Sequence, residues 1–245
     1  MKLFITFLAI FSLLFPPLPQ RGGQVIISPA PSGGGTPFSQ PPHSKCFSNI
    51  GSGAVNSISC TLSTVSVGDL IPVWAHFNGA TPTNLVISDT FGSNFGALLS
   101  GSTTPVDTAL ANPYIVDYFA VSVGSGSDTV TATWTGTALQ FNFLDALDYP
   151  VSPTPTLDDH QIFSGFVSTG GNAATPNLTT TASGDLLVMV CYGGTLTAGS
   201  GYTIQSTSAG AVEDQIAGSA GSYTAIEVFT GSSGQVQCLA MGLKK

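Results

Sequence analysis

The sequence predicts an all-β fold: an antiparallel two-sheet sandwich, jelly-roll-like, built from two weakly similar halves. Three observations lead there. Thr, Val, Ser and Gly dominate runs whose apolar residues alternate with hydroxyls, as in Thr129–Trp134, where Val130, Ala132 and Trp134 take one side and Thr129, Thr131 and Thr133 the other. No segment carries the periodicity of a long amphipathic helix. And four signals recur in the same order in the two halves of the 245-residue chain.

Taken in order, the chain opens on an export signal over 1–20. Lys2 supplies a positive start, Leu3 to Phe15 is an almost unbroken apolar run, and Pro16 and Pro17 stop it. That length suits a secretory h-region and is too short to span a bilayer as a helix. Residues 21–45 are rich in Pro, Gly and Ser and read as a tether. The folded domain is expected over 46–245, with halves at about 46–148 and 161–245 and a proline-rich crossover at 149–160 between them.

The halves are matched by their signals. Gly68-Asp69-Leu70 opens an apolar run in the first, and Gly184-Asp185-Leu186 opens LLVMVC in the second. IVDYF (115–119) parallels VEDQI (212–216), which aligns Asp117 with Asp214, and TATWTG (131–136) parallels IEVFTG (226–231). Each series then ends in a strand-like run reaching Leu147 or Leu243. LLVMVC is apolar on both faces, which suits a central strand. Small sheets are marginal alone in water, so the two units are expected to bury their apolar faces in facing sheets.

Charge is distributed in a more unusual way. The five Lys and Arg lie at Lys2, Arg21, Lys45, Lys244 and Lys245, so none occurs from Cys46 through Leu243, the stretch that holds all thirteen Asp and Glu. Phosphate neutralisation needs Lys or Arg, so nucleic-acid binding is excluded as a function, and anionic substrates find nothing to grip. Salt bridges play little part in such a core. Neutral glycans, divalent cations and the protein's own copies remain as partners, and nothing after the signal spans a membrane.

Four cysteines fit an oxidising compartment and allow three pairings. Cys46–Cys60 and Cys191–Cys238 are favoured because each pair lies within one half; buried free thiols at Cys191 and Cys238 are the alternative.

The run of GDLLV, GYTI, EDQIAGSAGSYTA and a final apolar strand ending in Lys resembles a group of secreted bacterial β-sandwich proteins. The likeness covers about residues 55–243 and is strongest from Gly184 onward. It implies the fold and the compartment. That group has no established activity, so the resemblance implies no catalytic residue and no site.

Candidate chemistry is sparse. No G-x-S-x-G elbow is present, and outside the tether the histidines are His76 and His160. Asp145 and Asp148 in FLDALDY are the acidic couple most surrounded by apolar residues, the arrangement a glycosidase would need. Asp158, Asp159 and His160 form the densest polar cluster; in a loop they would offer ligands to Ca²⁺, the cofactor expected if there is one. For a glycan, Tyr202 in the GSGY loop and Trp74 with His76, on a strand face shared with Pro72, are the candidate stacking groups. The expectation is an exported, non-enzymatic protein with a structural or adhesive role at the cell surface or in the extracellular matrix. A carbohydrate-binding module, calcium-dependent or not, is the alternative, and a glycoside hydrolase-type enzyme the third reading.

Overall fold

The computed structural model describes residue 38 and residues 40–244 except 52, 79–80, 97–106, 110–113, 137, 152–154, 168–170, 175–176, 194–195, 208–209, 225 and 230–233. The expected signal and most of the expected tether lie outside the described residues.

The described residues form strands and turns. The first half holds β1 (Ser44–Ile50), β2 (Ser57–Val65), β3 (Leu70–Asn78), β4 (Thr83–Ser88), β5 (Asp107–Ala109), β6 (Tyr114–Val121), β7 (Gly126–Thr135) and β8 (Gln140–Asp148). The second holds β9 (Thr156–Val167), β10 (Asn172–Ala174), β11 (Leu178–Thr180), β12 (Leu186–Tyr192), β13 (Leu196–Thr197), β14 (Thr203–Ser206), β15 (Gly210–Ile216), β16 (Gly221–Tyr223), β17 (Ile226–Phe229) and β18 (Gly234–Lys244). All pairings between these strands are antiparallel. Among the described residues no helix is long and apolar enough to cross a membrane.

The sandwich occurs twice. In the first half a five-stranded sheet, β1-β8-β3-β6-β5, faces a three-stranded sheet, β2-β7-β4. The second half repeats both orders, as β14-β15-β12-β18-β9 and β10-β17-β13, with β11-β16 continuing the outer layer. Reading β9 for β1, β18 for β8, β12 for β3, β15 for β6 and β14 for β5 makes the two large sheets identical in order.

The side-chain clusters define four layers. Ile58, Leu62, Val130 and Trp134 of the first outer sheet pack on Val73, Phe77, Tyr118 and Leu144. The other face of that five-stranded sheet, with Leu70, Trp74, Phe119, Leu147 and Tyr149, packs on Leu186, Val188, Val212, Leu239 and Met241 of the second. Leu187, Met189, Ala211 and Cys238 then fill the second sandwich with Leu178 and Tyr202. The large sheets are therefore covered on both sides and β2-β7-β4 on one. Eight consecutive residues of β3 are buried, whereas β2 and β7 alternate. Burial on both sides is why LLVMVC carries no polar face.

The ladders correct the alignment of the halves. Leu70 bridges Tyr149 and Leu186 pairs Leu243, so Tyr149 is the counterpart of Leu243. Leu70 pairs Val121 and Leu186 pairs Ile216, which sets Asp214 opposite Phe119's place rather than Asp117's. The sequence match is two residues out, and a two-residue slip preserves every side chain's face.

The Gly-Asp signal is a turn. Asp69 N–H donates to Ser66 O at 3.1 Å, while Asp69 Oδ2 accepts the Ser66 N–H at 2.8 Å. Asp185 Oδ2 accepts the Ala182 N–H at 3.0 Å in the same way. Gly68 and Gly184 have φ of 94° and 81°, a conformation that costs other residues energy. Both expected disulfides form. Cys46–Cys60 joins β1 to β2 across the first sandwich, and Cys191–Cys238 joins directly opposed residues of β12 and β18.

Residues before 46 also belong to the fold. Phe38 is buried in the cluster between the large sheets, and β1 starts at Ser44. The connection between halves is also shorter than 149–160, because Tyr149 still pairs with Leu70 and β9 begins at Thr156.

Candidate functional site

The expected glycan-stacking residues do not form an exposed platform. Trp74, His76 and Tyr202 are 2%, 5% and 8% exposed, and Tyr202 lies in a different cluster from Trp74. The reason is the second sandwich: the face of β3 that carries Trp74 and His76 is covered by the other large sheet. His76 and Tyr192, each six residues beyond its Gly-Asp-Leu leucine, stack with ring centroids 3.3 Å apart. Phe143 tilts against both at 5.3 and 5.6 Å. Burial lowers the His76 pKa to about 3, so the ring is neutral and suits neither a general base near pH 7 nor an exposed contact. The cavity beside it, bordered by Trp74, His76, Asp145 and Tyr192, has room for about one water molecule and none for a sugar ring.

Polar groups fasten the same layer. Asp214 of β15, fully buried, accepts from Tyr149 Oη at 2.5 Å, Gln205 Nε2 at 2.9 Å and Gln40 Nε2 at 2.6 Å. Burial pushes its pKa up, and these three donors with the Lys45 charge oppose the rise. Ser206 Oγ bonds Asp145 Oδ1 at 2.9 Å, and Lys45 Nζ donates to Gln205 O at 2.9 Å. All of these bonds except Gln205–Asp214 join one half to the other. Asp145 thus points between the halves, while Asp148, three residues on in β8, takes the opposite face. The couple does not converge as a glycosidase pair.

Asp158, Asp159 and His160 lie on β9, not in a loop, so the expected calcium cluster is not assembled. Asp158 is the extra residue of a bulge opposite Gly242 and Leu243. Its carboxylate accepts the Thr181 N–H at 2.6 Å and meets Lys244 Nζ at 3.6 Å, while Asp159 accepts the Thr179 N–H at 2.6 Å. Both acids brace β9 to the β11 segment. His160 is exposed beside them.

Among the described residues, the His, Cys, Asp or Glu side chains that gather in a group of three are His43, Asp69 and Asp148, with one ligand-capable atom from each inside 4.8 Å. Sequence reasoning placed His43 in the tether and so missed the group. The three lie far apart along the chain, and the pairing of β8 with β1 and of Tyr149 with Leu70 brings them together.

The outer face of β2-β7-β4 is the other feature with chemical character. Ser57, Ser59 and Thr61 pair with Thr133, Thr131 and Thr129, and Ser88 flanks Thr131 from β4. Thr61 and Thr129 hydroxyls are 2.9 Å apart, and Asn84 Nδ2 donates to Thr135 Oγ1 at 2.9 Å. Neighbouring strands place these hydroxyls about 4.8 Å apart across the sheet and about 6.7 Å apart along it. No charged residue interrupts the outward positions of β2 and β7. The TxTxT run was the visible signal for this face. Compared with protein-family models, with curated proteins and with solved structures, the chain has no match.

Proposed function

We propose that the protein is an exported, non-enzymatic structural or adhesive protein of the cell surface or extracellular matrix, and that its uncharged Ser/Thr face is the adhesive surface. The observation that carries this reading is the hydroxyl array of β2 and β7, flanked on β4 by Ser88 and the exposed Val86, on a sheet covered on its other side only. Such an array matches a neutral polysaccharide surface, itself a repeat of hydroxyl donors and acceptors. The buried state of Trp74, His76 and Tyr202 weighs against a carbohydrate-binding module of the aromatic-platform kind. The divergence of Asp145 and Asp148 weighs against a hydrolase. Export is supported by the apolar run over Leu3 to Phe15 and by the two disulfides.

The test is retention of the purified chain on insoluble neutral polysaccharides, with sedimentation to follow self-association. Hydroxyl contacts carry no net charge, so retention should persist in 0.5 M salt, a buffer condition of roughly 4 Å screening length. No retention at any salt, retention abolished by salt, or self-association alone would each overturn the polysaccharide reading.

A further inference from the structure

Asp69 and Asp148 meet at the end of the first sandwich where β3 begins and β8 stops. Asp148 has no exposed surface, no backbone, hydroxyl or amide donor reaches its carboxylate oxygens, and the polar side chain beside it is another acid, Asp69. Asp69, 5% exposed, accepts the Ser66 N–H on Oδ2. His43 is held over the pair by its own N–H, which donates to Asp148 O at 2.8 Å. Asp128, also fully buried, adds negative charge from β7. Buried carboxylates without donors are costly unless a proton or a cation compensates them.

The second half supplies an internal comparison. Asp185 stands where Asp69 stands, closing the same turn, and β9 brings Asp158 to the end where β1 brings His43. There the cation is part of the chain: Lys244 follows Leu243 and lies 3.6 Å from Asp158, and while burial raises the pKa of Asp185, the Lys244 charge opposes that rise. In the first half the residue after Tyr149, at the position of Lys244, is Pro150. The same acidic corner has a lysine in one copy and an imidazole in the other.

We propose that His43, Asp69 and Asp148 bind one divalent transition-metal ion of the zinc class. One imidazole nitrogen and two carboxylate oxygens form a donor set typical of Zn²⁺, whereas Ca²⁺ takes six to eight oxygens. His43 is exposed, so the ion is reachable from solvent and keeps a position for water. Bound there, it fastens the segment before β1 to the end of β8 and to the turn before β3, as Lys244 fastens the matching corner.

The test is metal analysis and thermal unfolding of the purified chain with ZnCl₂ and, separately, CaCl₂. One zinc per chain is expected, with Tm raised by about 5–10 °C at a hundredfold excess over Kd. Asp148→Asn should abolish binding. His43→Ala, an exposed change that leaves the fold intact, should weaken it at least tenfold without moving the metal-free Tm. Asp185→Asn should leave the stoichiometry at one. No bound zinc, two zinc ions per chain, calcium bound in preference, or zinc affinity unchanged in His43→Ala would overturn the assignment. Should Asp148→Asn fail to fold, His43→Ala decides the question.

Discussion

Removing the Tyr149 hydroxyl tests how the halves are held together. Tyr149 belongs to the first half and Asp214 to the second, and their 2.5 Å bond lies in the layer between the two large sheets. A hydrogen bond to an ionised acceptor contributes about 1.5–3 kcal/mol net, so Tyr149→Phe should cost about 2 kcal/mol at pH 7.5 and lower Tm by about 4–8 °C. The bond favours the ionised carboxylate and lowers the folded-state pKa of Asp214 against the rise caused by burial. Its contribution is therefore full where Asp214 is ionised and shrinks as pH falls through that pKa. The cost should be smaller at pH 4.5 than at pH 7.5. In an Asp214→Asn background it should fall below about 1 kcal/mol, because the charged acceptor is gone. Guanidinium unfolding of the four proteins at both pH values gives the cycle. A cost below about 0.5 kcal/mol at pH 7.5, or the same cost in both backgrounds, would refute the reasoning.

Stability of the unmodified protein should run against the usual acid sensitivity. Burial raises Glu213 to about 8 and, with Asp89 beside it, Asp128 to about 6. A raised folded pKa means that the folded state holds protons that the unfolded chain has released. Stability is then full below about pH 4 and is lost as pH rises toward 8, so unfolding should cost about 2 kcal/mol or more extra at pH 4.5 than at pH 7.5. Denaturant midpoints that fall on acidification would contradict this. Cys191→Ala/Cys238→Ala should cost about 4 kcal/mol and Cys46→Ala/Cys60→Ala about 3 kcal/mol by loop-closure entropy, checked by the same unfolding curves. Trypsin should leave Cys46–Lys244 whole even when the chain is reduced and unfolded, because no Lys or Arg lies between; smaller tryptic fragments on a mass spectrum would contradict the count.

The alternation in Thr129–Trp134 and the doubly apolar LLVMVC made the strands legible, and the position of each cysteine within its half made the disulfides so. The Gly-Asp-Leu repeat also marked the duplication, because a turn with positive φ and an Asp closing it leaves a local signature. The stacking of two sandwiches did not show. A face packed on another sheet of the same chain looks, residue by residue, like any buried face, and the sequence therefore offers Trp74 and His76 as candidate stacking groups. The two-residue slip at Asp117 escaped notice because it changes no side chain's face. His43, Asp69 and Asp148 owe their meeting to strand order, which no local pattern encodes.

The Ser/Thr face of β2-β7-β4 is the proposed contact surface. Ser59→Lys with Thr131→Lys puts two charges side by side at the centre of that face, on outward positions of paired strands. Retention on neutral polysaccharide by this variant, compared with the unmodified chain at matched Tm, is the direct measurement. At least a tenfold loss of retention, about 1.4 kcal/mol, is the predicted result. Retention equal to that of the unmodified chain would contradict the assignment of this face as the contact surface.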